Sequence, residues 1–434
     1  MQVRIRTSAM VGMVLTMLAA IGVSLTPQAA HAAVISNIAY APANPAGTNG
    51  HLLDLYLPDA GVGITPRPLL IWHSGSAWSS DNGRSGAAAI AAEFNPRGFA
   101  VAGVSVRSSS QAIFPAQVHD IKAAIRYLRA NAATYQLDPN RFAMMGDSSG
   151  GWLTEMALFS GGVSSLEGTI GTTGVSSSLQ TGLALYAPTD FIQMNAQNLP
   201  TGGLDHNSPA SPESLLVGCP IQTCPTQVAA ASPLTYVDAN DPPLMFLHGQ
   251  ADFLVPHGQS VLLYNKIMAM CGNATFISVP GADHGRAYIM DPAHFGGQTT
   301  YTTQNCYGTT TSGSPNPTWD TFEKWIRGGL KMGTSCSVAY SPTPWSGAFQ
   351  GSVTITNTGT TPVDRWMVNW NWPGSQSVTA GWNATVTQSG TKVTAVDAGY
   401  NSYIGPGSAA SFSFQANGTS VTPSQFKLNG IVCS

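Results

Sequence analysis

The sequence predicts an α/β domain with a mostly parallel sheet and helices on both faces, followed by a small all-β sandwich domain. Between residues 34 and 330, short apolar runs bounded by turn residues alternate with segments of helical periodicity, as in sheets covered by helices. From Cys336 onwards helical periodicity is absent, and short alternating runs separated by turn residues take over. A chain of 434 residues also exceeds what one compact core usually contains.

The elements of the first domain follow from apolar patterning. Strands are expected at 34–40, 52–57, 69–72, 99–106, 141–145, 182–186, 244–248 and 274–279. Helices are expected at 115–133, 152–159, 259–270 and 319–330. The segment 195–235, which is rich in Pro, Gly and Ser, interrupts this alternation. We interpret it as an insertion over the carboxyl edge of the sheet, where substrate loops usually lie.

The second domain is expected to contain strands at 352–357, 366–372, 384–388, 392–396 and 411–415. The predicted organisation is therefore a signal peptide at 1–32, a first domain at 33–332, a short linker at 333–335 and a second domain at 336–434.

The N-terminus has the pattern of an export signal. Arg4 and Arg6 precede an apolar run at 10–25, and a small-residue cleavage site follows at 30–32. A membrane anchor is the alternative, but this run is shorter than the roughly 20 residues that a bilayer crossing needs. The pattern predicts a secreted, extracellular protein whose mature chain begins at Ala33.

Composition restricts the possible partners. Charged residues make up only 9% of the chain and the net charge is −3, so neither nucleic acid nor an anionic membrane surface is an expected partner. A surface rich in hydroxyl and amide groups suits a protein that acts on neutral polymers. We also expect the protein to be a monomer. No metal or other cofactor is expected, since no cysteine pair has histidines at zinc-like spacing.

Six cysteines in an exported chain predict disulfides, although the sequence permits about 15 pairings. Two of the cysteines are separated by only a short loop, and two others stand at the two ends of the second domain. The remaining two would then form the third pair. The expected bonds are Cys219–Cys224, Cys336–Cys433 and Cys271–Cys306.

Residues 146–150 read Gly-Asp-Ser-Ser-Gly, a G-x-S-x-G pattern. The pattern becomes specific through its context, because a buried strand precedes it and a helix follows it. A side chain at Gly146 or Gly150 would collide in the tight turn that lifts a serine hydroxyl off the sheet. We therefore expect Ser148 to be a nucleophile.

A serine hydroxyl needs a base and an orienting acid to attack a carbonyl group at neutral pH. Asp252 follows the strand at 244–248, and His284 lies in a loop after the strand at 274–279. Both come at carboxyl ends of predicted strands and in the order Ser, acid, His. We assign Asp252 as the acid and His284 as the base.

Other residues could compete for these roles. Asp283 adjoins His284, but adjacent side chains usually point apart, and Asp147 is expected to make local hydrogen bonds within the turn. His248 and His257 flank the acid loop and are expected to be structural histidines.

An oxyanion hole needs backbone N–H groups aimed at the developing negative charge. Ser149, directly after the nucleophile, should supply one group, and Ser76 or Ala77 should supply the other from the loop after the strand at 69–72. Trp78 is expected either to line the acyl pocket or to pack in the core.

Residues 34–330 resemble the esterase branch of the α/β hydrolases that includes acetyl xylan esterases and feruloyl esterases. The stretches that carry the resemblance are 114–120, 137–141, the turn at 146–150, 248–252 and 283–285. The resemblance implies the α/β-hydrolase fold and a Ser-His-Asp triad, and it leaves the acyl group open.

Residues 336–434 contain five Trp, four Phe and three Tyr but only five charged residues. So many aromatic rings exceed what a core of about a hundred residues can bury, and exposed flat rings can stack on sugar faces. The segment resembles the family 2 carbohydrate-binding modules of cellulases and xylanases. The match includes the terminal cysteines and the stretches 345–349, 382–384, 400–401, 404–408 and 428–430.

This second resemblance implies that Trp345, Trp382 and Tyr400 stack on the polysaccharide, with cellulose as the main ligand and xylan as a lesser one. A tyrosine at 400 stands where the family often has tryptophan. Trp366, Trp370 and Trp372 are expected in the core.

Together these features predict a secreted serine carboxylesterase that removes acetyl or feruloyl groups from xylan or a similar acylated plant polysaccharide while bound to cellulose. Three alternatives stay open at this point. They are a polyester or lipid esterase targeted to biomass, a serine peptidase, and a non-catalytic cellulose-binding protein.

Overall fold

A computed structural model describes residues 33–433, apart from 60–61, 64, 305, 331, 333–335, 360–361, 365 and 430. The predicted signal peptide at 1–32 and the predicted linker at 333–335 lie outside the described residues.

The first domain alternates strands and helices as the sequence predicts. Its strands are β1 (Val34–Ala39), β2 (Leu52–Tyr56), β3 (Arg67–His73), β4 (Ala100–Val104), β5 (Leu137–Asp147), β6 (Thr181–Leu185), β7 (Leu244–Gly249), β8 (Ala274–Val279), β9 (Thr299–Gln304) and β10 (Tyr307–Ser312). Its helices are α1 (Ala87–Phe94), α2 (Ala116–Ala130), α3 (Ser149–Phe159), α4 (Ser164–Glu167), α5 (Pro212–Val217), α6 (Pro225–Ala231), α7 (Gly258–Ala269), α8 (Arg286–Ile289) and α9 (Trp319–Gly329).

These strands form one sheet in the order β1-β2-β4-β3-β5-β6-β7-β8-β9-β10. The six central strands, from β4 to β8, are parallel, and the strands at both edges are antiparallel. The prediction of a mostly parallel sheet is confirmed. Because the parallel strands all end at the same edge, the loops after β3, β5, β6, β7 and β8 meet there.

Helices cover both faces of the sheet because alternate strand residues point to opposite sides. In β3, whose seven residues are all buried, Leu69 and Ile71 join the core under α2, α3 and α7. Leu70 and Trp72 join the opposite core under α1 and α9. An apolar run without polar alternation is typical of such a strand, since neither face is open to water.

The hairpin of β9 and β10 was not predicted from the sequence. Both strands are rich in threonine, and β10 is exposed along its whole length, so they lack the apolar run that marks the central strands. The inserted segment at 195–235 contains α5, α6 and short 3-10 turns, and the Cys219–Cys224 disulfide closes the loop between its two helices.

The second domain consists of antiparallel strands. They are β11 (Cys336–Trp345), β12 (Ala348–Asn357), β13 (Val363–Asp364), β14 (Met367–Asn371), β15 (Ser377–Trp382), β16 (Ala384–Ser389), β17 (Lys392–Asp397), β18 (Tyr403–Ile404), β19 (Ala409–Asn417), β20 (Phe426–Leu428) and β21 (Ile431–Val432). A sheet in the order β11-β12-β19-β15 and a sheet in the order β16-β17-β14-β20-β21 share one apolar core.

The core of the second domain is largely aromatic. Trp366, Trp370 and Trp372 are at most 2% exposed and pack with Phe412 and Phe414, which confirms the core positions expected for these tryptophans. Cys336 and Cys433 form a disulfide that joins the two ends of the domain, and Cys271 and Cys306 form the third bond. All three pairings agree with those expected from the sequence. Among the described residues, no helix combines the length and apolar character that a bilayer crossing requires.

Candidate active site

The turn between β5 and α3 holds Ser148 in an uncommon backbone conformation, with φ 52° and ψ −124°. A Cβ atom on Gly146 would lie 2.2 Å from the carbonyl oxygen of Gly150, and one on Gly150 would lie 2.1 Å from that of His73. Neither position therefore accepts a side chain. The structure has the strand, tight turn and helix that the sequence predicts, and it sets Ser148 at the carboxyl edge of the sheet.

His284 connects Ser148 to Asp252 by hydrogen bonds. Its Nδ1 atom lies 2.8 Å from Oδ2 of Asp252, and its Nε2 atom lies 3.0 Å from Oγ of Ser148. An ionised carboxylate only accepts hydrogen bonds, so the proton resides on Nδ1 and leaves Nε2 free to accept from the serine hydroxyl. The three residues assigned from the sequence are thus brought together in the geometry that a nucleophile, a base and an acid need.

Asp252 is a buried carboxylate with a full set of donors. Its Oδ1 atom accepts from the backbone N–H groups of Leu254, at 2.9 Å, and Val255, at 2.8 Å. Burial alone would raise the pKa of Asp252, but hydrogen bonds from His248 and His284 outweigh it and hold that pKa below its usual value. The carboxylate therefore stays ionised and can stabilise a protonated His284.

His248 contacts the acid as well, a contact that was not predicted from the sequence. Its Nε2 atom lies 2.9 Å from the carbonyl oxygen of Val255 and 3.2 Å from Oδ2 of Asp252. Both partners are acceptors, so Nε2 carries a proton and is shared between them. The Nδ1 atom lies 2.8 Å from Oγ of Ser260. His248 is a fully satisfied buried histidine, as expected, but it also fixes one oxygen of the acid.

His257 lies behind this group. Its Nε2 atom is 2.8 Å from Oγ of Ser278, and its ring centroid is 5.7 Å from that of His248. Burial lowers the pKa of His257 to about 4, and the proximity of His248 adds to the effect. His257 is therefore neutral at neutral pH and has no contact with Ser148 among the hydrogen bonds of the described residues.

The two rival carboxylates hold loops in place. Asp283 accepts from the backbone N–H groups of Phe253, at 3.0 Å, and His284, at 2.7 Å. Asp147 accepts from the N–H of Gly75 at 2.6 Å and from the hydroxyl of Tyr186 at 3.1 Å. Asp147 thus links the turn of the nucleophile to the loop after β3.

Tyr186 lines one side of the site and was not predicted from the sequence as a site residue. Its ring lies edge-on against His284, with 4.6 Å between centroids. Burial raises the pKa of Tyr186, and the negative charge of Asp147 raises it further. The only signal in the sequence was its place at the end of a buried strand.

Backbone N–H groups for an oxyanion come from two places. Ser149 is the first residue of α3, where N–H groups have no partner within the helix. The N–H of Ser76 already donates to Oγ of Ser149 at 2.9 Å. Ala77 has a left-handed backbone conformation, with φ 51°, and its N–H has no acceptor among the described residues. Of the two expected donors, Ala77 is the one whose N–H is available.

Trp78 belongs to the core. It is 6% exposed, and its ring contacts Trp152 and Phe191 edge-on, with 5.3 Å and 5.5 Å between centroids. The second of the two interpretations offered by the sequence is therefore the correct one.

The second domain exposes three aromatic side chains at the positions expected from the sequence. Trp345 and Trp382 are about half exposed and end β11 and β15, two strands of the same sheet. Tyr400 is 77% exposed, and its hydroxyl donates to Oδ1 of Asn383 at 2.7 Å. A hydrogen bond of this kind holds the ring in one orientation while its face stays open to a ligand.

Comparison with known proteins gives a separate result for each domain. Residues 53–267 match the BD-FAE family model, and residues 336–433 match the family model described as cellulose binding domain. Among solved structures, a truncated form of a carbohydrate esterase from gut microbiota is 30% identical, with a TM-score of 0.57. That match covers 70% of this chain and 98% of the other.

The curated relatives likewise match either the first domain or the second domain. Esterase LipQ of Mycobacterium tuberculosis is 28% identical over 261 residues, which are 59% of this chain and 58% of LipQ. Endoglucanase B of Cellulomonas fimi is 45% identical over 101 residues, which are 23% of this chain. The chain thus spans only about a tenth of endoglucanase B, and that similarity concerns the second domain alone.

The contact between His248 and Asp252 predicts a role for His248 in positioning the acid. We expect His248→Phe to lower kcat for a small ester by roughly 10- to 100-fold, because one hydrogen bond to a buried charge is lost. KM should change much less. His248→Gln, which keeps an N–H donor, should retain part of the rate. Steady-state kinetics with thermal melting of each variant checks this, and an increase in KM at unchanged kcat would contradict it.

The low pKa of His257 predicts a pH-dependent effect on stability. Between pH 6.5 and about 4 the unfolded chain binds a proton at this residue and the folded chain does not, so its presence destabilises the fold as the pH falls. Relative to the wild type, His257→Gln should therefore gain about 3 kcal/mol of unfolding free energy between pH 7 and pH 4. Urea denaturation at both pH values measures this gain, and a difference independent of pH would refute the assignment.

Proposed function

The chain belongs to the BD-FAE esterase family and carries a C-terminal family 2 cellulose-binding module, and from this premise we propose that it is a serine carboxylesterase of plant cell-wall polysaccharide. The observation that carries the proposal is the hydrogen-bonded chain from Ser148 through His284 to Asp252. The residues follow β5, β7 and β8, three parallel strands of the same sheet, and this common origin supports the proposal.

The reaction begins with attack of Ser148 Oγ on the ester carbonyl carbon. His284 Nε2 takes the hydroxyl proton, and Asp252 stabilises the resulting imidazolium through Nδ1. The N–H groups of Ser149 and Ala77 bind the negative oxygen of the tetrahedral intermediate. When this collapses, His284 gives its proton to the leaving alcohol and an acyl-enzyme remains. Water, activated by the same histidine, then hydrolyses the acyl-enzyme and regenerates Ser148.

The proposed substrates are acetyl or feruloyl esters on xylan. Two observations support this: the solved relative is described as a carbohydrate esterase, and the second domain belongs to a family described as cellulose binding. Attachment to the insoluble wall raises the local concentration of esterified polymer around the site. A solved structure described as a bifunctional GH43-CE from Bacteroides eggerthii is also similar, with 35% identity and a TM-score of 0.52 over 58% of this chain and 35% of the other.

The proposed organisation follows the predicted boundaries: a signal peptide at 1–32, the esterase domain at 33–332, a linker at 333–335 and the binding module at 336–434. Secretion is part of the proposal. It is supported by the export pattern at the N-terminus and by three disulfides, which form and persist in oxidising compartments.

The nucleophile is tested by Ser148→Ala, which should lower kcat for 4-nitrophenyl acetate at least about 10⁴-fold, since the covalent route is lost. Ser164→Ala, at an exposed position in α4, is the matched control and should behave as the wild type. The amounts of acetate and ferulate that the same variants release from native wheat or wood xylan are also measured. Turnover restricted to long-chain esters or polyhydroxyalkanoate would overturn the substrate class, and unchanged turnover by Ser148→Ala would overturn the mechanism.

The exposed rings of the second domain are tested by replacing Trp345 and Trp382 together with Ala. Retention on crystalline cellulose should fall at least about tenfold, because two stacking surfaces are removed. Turnover of 4-nitrophenyl acetate should persist. Tyr307→Ala is the control, since Tyr307 is 80% exposed on the esterase domain and lies outside the module. Unchanged retention by the double variant would rule out these positions as the binding face.

A further inference from the structure

A cleft borders the candidate triad and has no role in the proposed acyl transfer. Asp147, directly before the nucleophile, and Gly285, directly after the base, both line it. Its walls are largely aromatic and apolar, and they include Tyr186, Phe295 and Trp319. The cleft is open to solvent and has a volume of about 950 Å³, which suits part of a polymeric substrate.

The distinctive feature of this cleft is the guanidinium group of Arg286. Its Cζ atom lies 5.4 Å from the ring centroid of Trp72 and 5.5 Å from that of Trp319. Two indole rings therefore hold the cation by cation–π contacts. Because the side chain is only partly buried, the edge of the guanidinium fork can still reach a ligand.

The guanidinium group of Arg286 has no anionic partner and no hydrogen-bond acceptor among the described residues. Each of the other described arginines has at least one, either a carboxylate or a carbonyl or amide oxygen; they are Arg67, Arg84, Arg97, Arg107, Arg126, Arg129, Arg141 and Arg327. In a chain with so few charges, a fixed and unpaired cation beside the triad is exceptional.

Two carboxylates also line the cleft, and both have other partners. Asp147 accepts from Gly75 and Tyr186, and Asp291 accepts from the N–H of Ala293 at 2.9 Å. Neither forms an ion pair with Arg286 in the part of the chain that the structure describes. The guanidinium is thus the group in the cleft that is left for a ligand.

We propose that Arg286 forms a carboxylate-binding subsite, so that the enzyme favours esters on acidic polysaccharide. This rests on the proposed esterase function and specifies its substrate. A planar guanidinium with five donors matches a carboxylate in bidentate fashion, and aromatic walls suit the face of a sugar ring. On xylan the carboxylate is that of a uronic-acid side group near the esterified sugar. A carboxylate on the acyl group itself is the other chemical source, and the test separates the two.

The test compares kcat/KM for acetylated xylo-oligosaccharides with and without a uronic-acid substituent, using the full chain. The wild type should prefer the acidic substrate. Arg286→Gln should lower the acidic-to-neutral ratio by about 10- to 100-fold, and Arg286→Lys should lower it less, since a charge but not the fork remains. Arg141→Gln is the matched control, because Arg141 lies on β5 far from its catalytic end and is paired with Asp138. The control ratio should equal that of the wild type.

Two further measurements make the outcomes distinct. In the first, turnover of methyl hydrogen succinate, whose acyl group carries a carboxylate, is compared with turnover of methyl propionate. If the wild type prefers the succinate ester and Arg286→Gln abolishes this preference, the subsite binds a carboxylate of the acyl group and not one of the polysaccharide. Calorimetric binding of a uronic-acid-substituted xylo-oligosaccharide to Ser148→Ala, with the neutral oligosaccharide as reference, reports on the subsite without turnover. Equal turnover and equal binding of acidic and neutral substrates would overturn the inference while leaving the esterase function intact. Absence of turnover on all esters would instead overturn the function.

Discussion

The close approach of three backbone segments at Ser148 is the constraint on which the active site depends. β5 ends, α3 begins and the end of β3 passes alongside, so that the carbonyl oxygen of His73 lies 2.1 Å from the place where a Cβ atom on Gly150 would be. Packing of this kind lets one residue adopt a strained conformation and point its hydroxyl away from the sheet. Every later part of the proposed chemistry, from the base to the oxyanion donors, is arranged around that hydroxyl.

The active site also depends on the burial of Asp252. A carboxylate that is shielded from water needs hydrogen-bond donors from the protein, and Asp252 has two backbone N–H groups and two histidines. The loop after β7 supplies the backbone donors, while β7 itself supplies His248 from a fully buried position. β7 and the loop after it therefore carry Asp252 and also supply three of its four hydrogen-bond donors.

Much of the fold could be predicted because buried parallel strands leave a strong signal. The runs 69–72, 142–145, 244–247 and 274–279 are buried throughout, and Ser148, Asp252 and His284 come shortly after β5, β7 and β8. The threonine-rich hairpin of β9 and β10 lacked this signal, since its strands form the edge of the sheet. β11 was missed as well, because Pro342 and Pro344 interrupt its pattern.

The contacts of His248 and Arg286 could not be read from sequence for another reason. Both depend on how the chain folds back on itself: His248 contacts Asp252 where β7 ends, and Arg286 contacts Trp319 at the start of α9, with β9 and β10 between them in the sequence. Residue types at fixed spacing predict which groups a catalytic site needs. They do not predict which further histidine contacts the acid or which cation lies beside the site.

Asp147 connects three parts of the site at once: the turn that carries the nucleophile, the loop with the oxyanion donors through Gly75, and the wall of His284 through Tyr186. These parts form one stiff unit, so an altered side chain within it would disturb all of them together. For the design of variants with a new substrate range, this unit is best left unchanged. The useful diversity then lies at its border, in the cleft around Arg286 and in the inserted segment at 195–235.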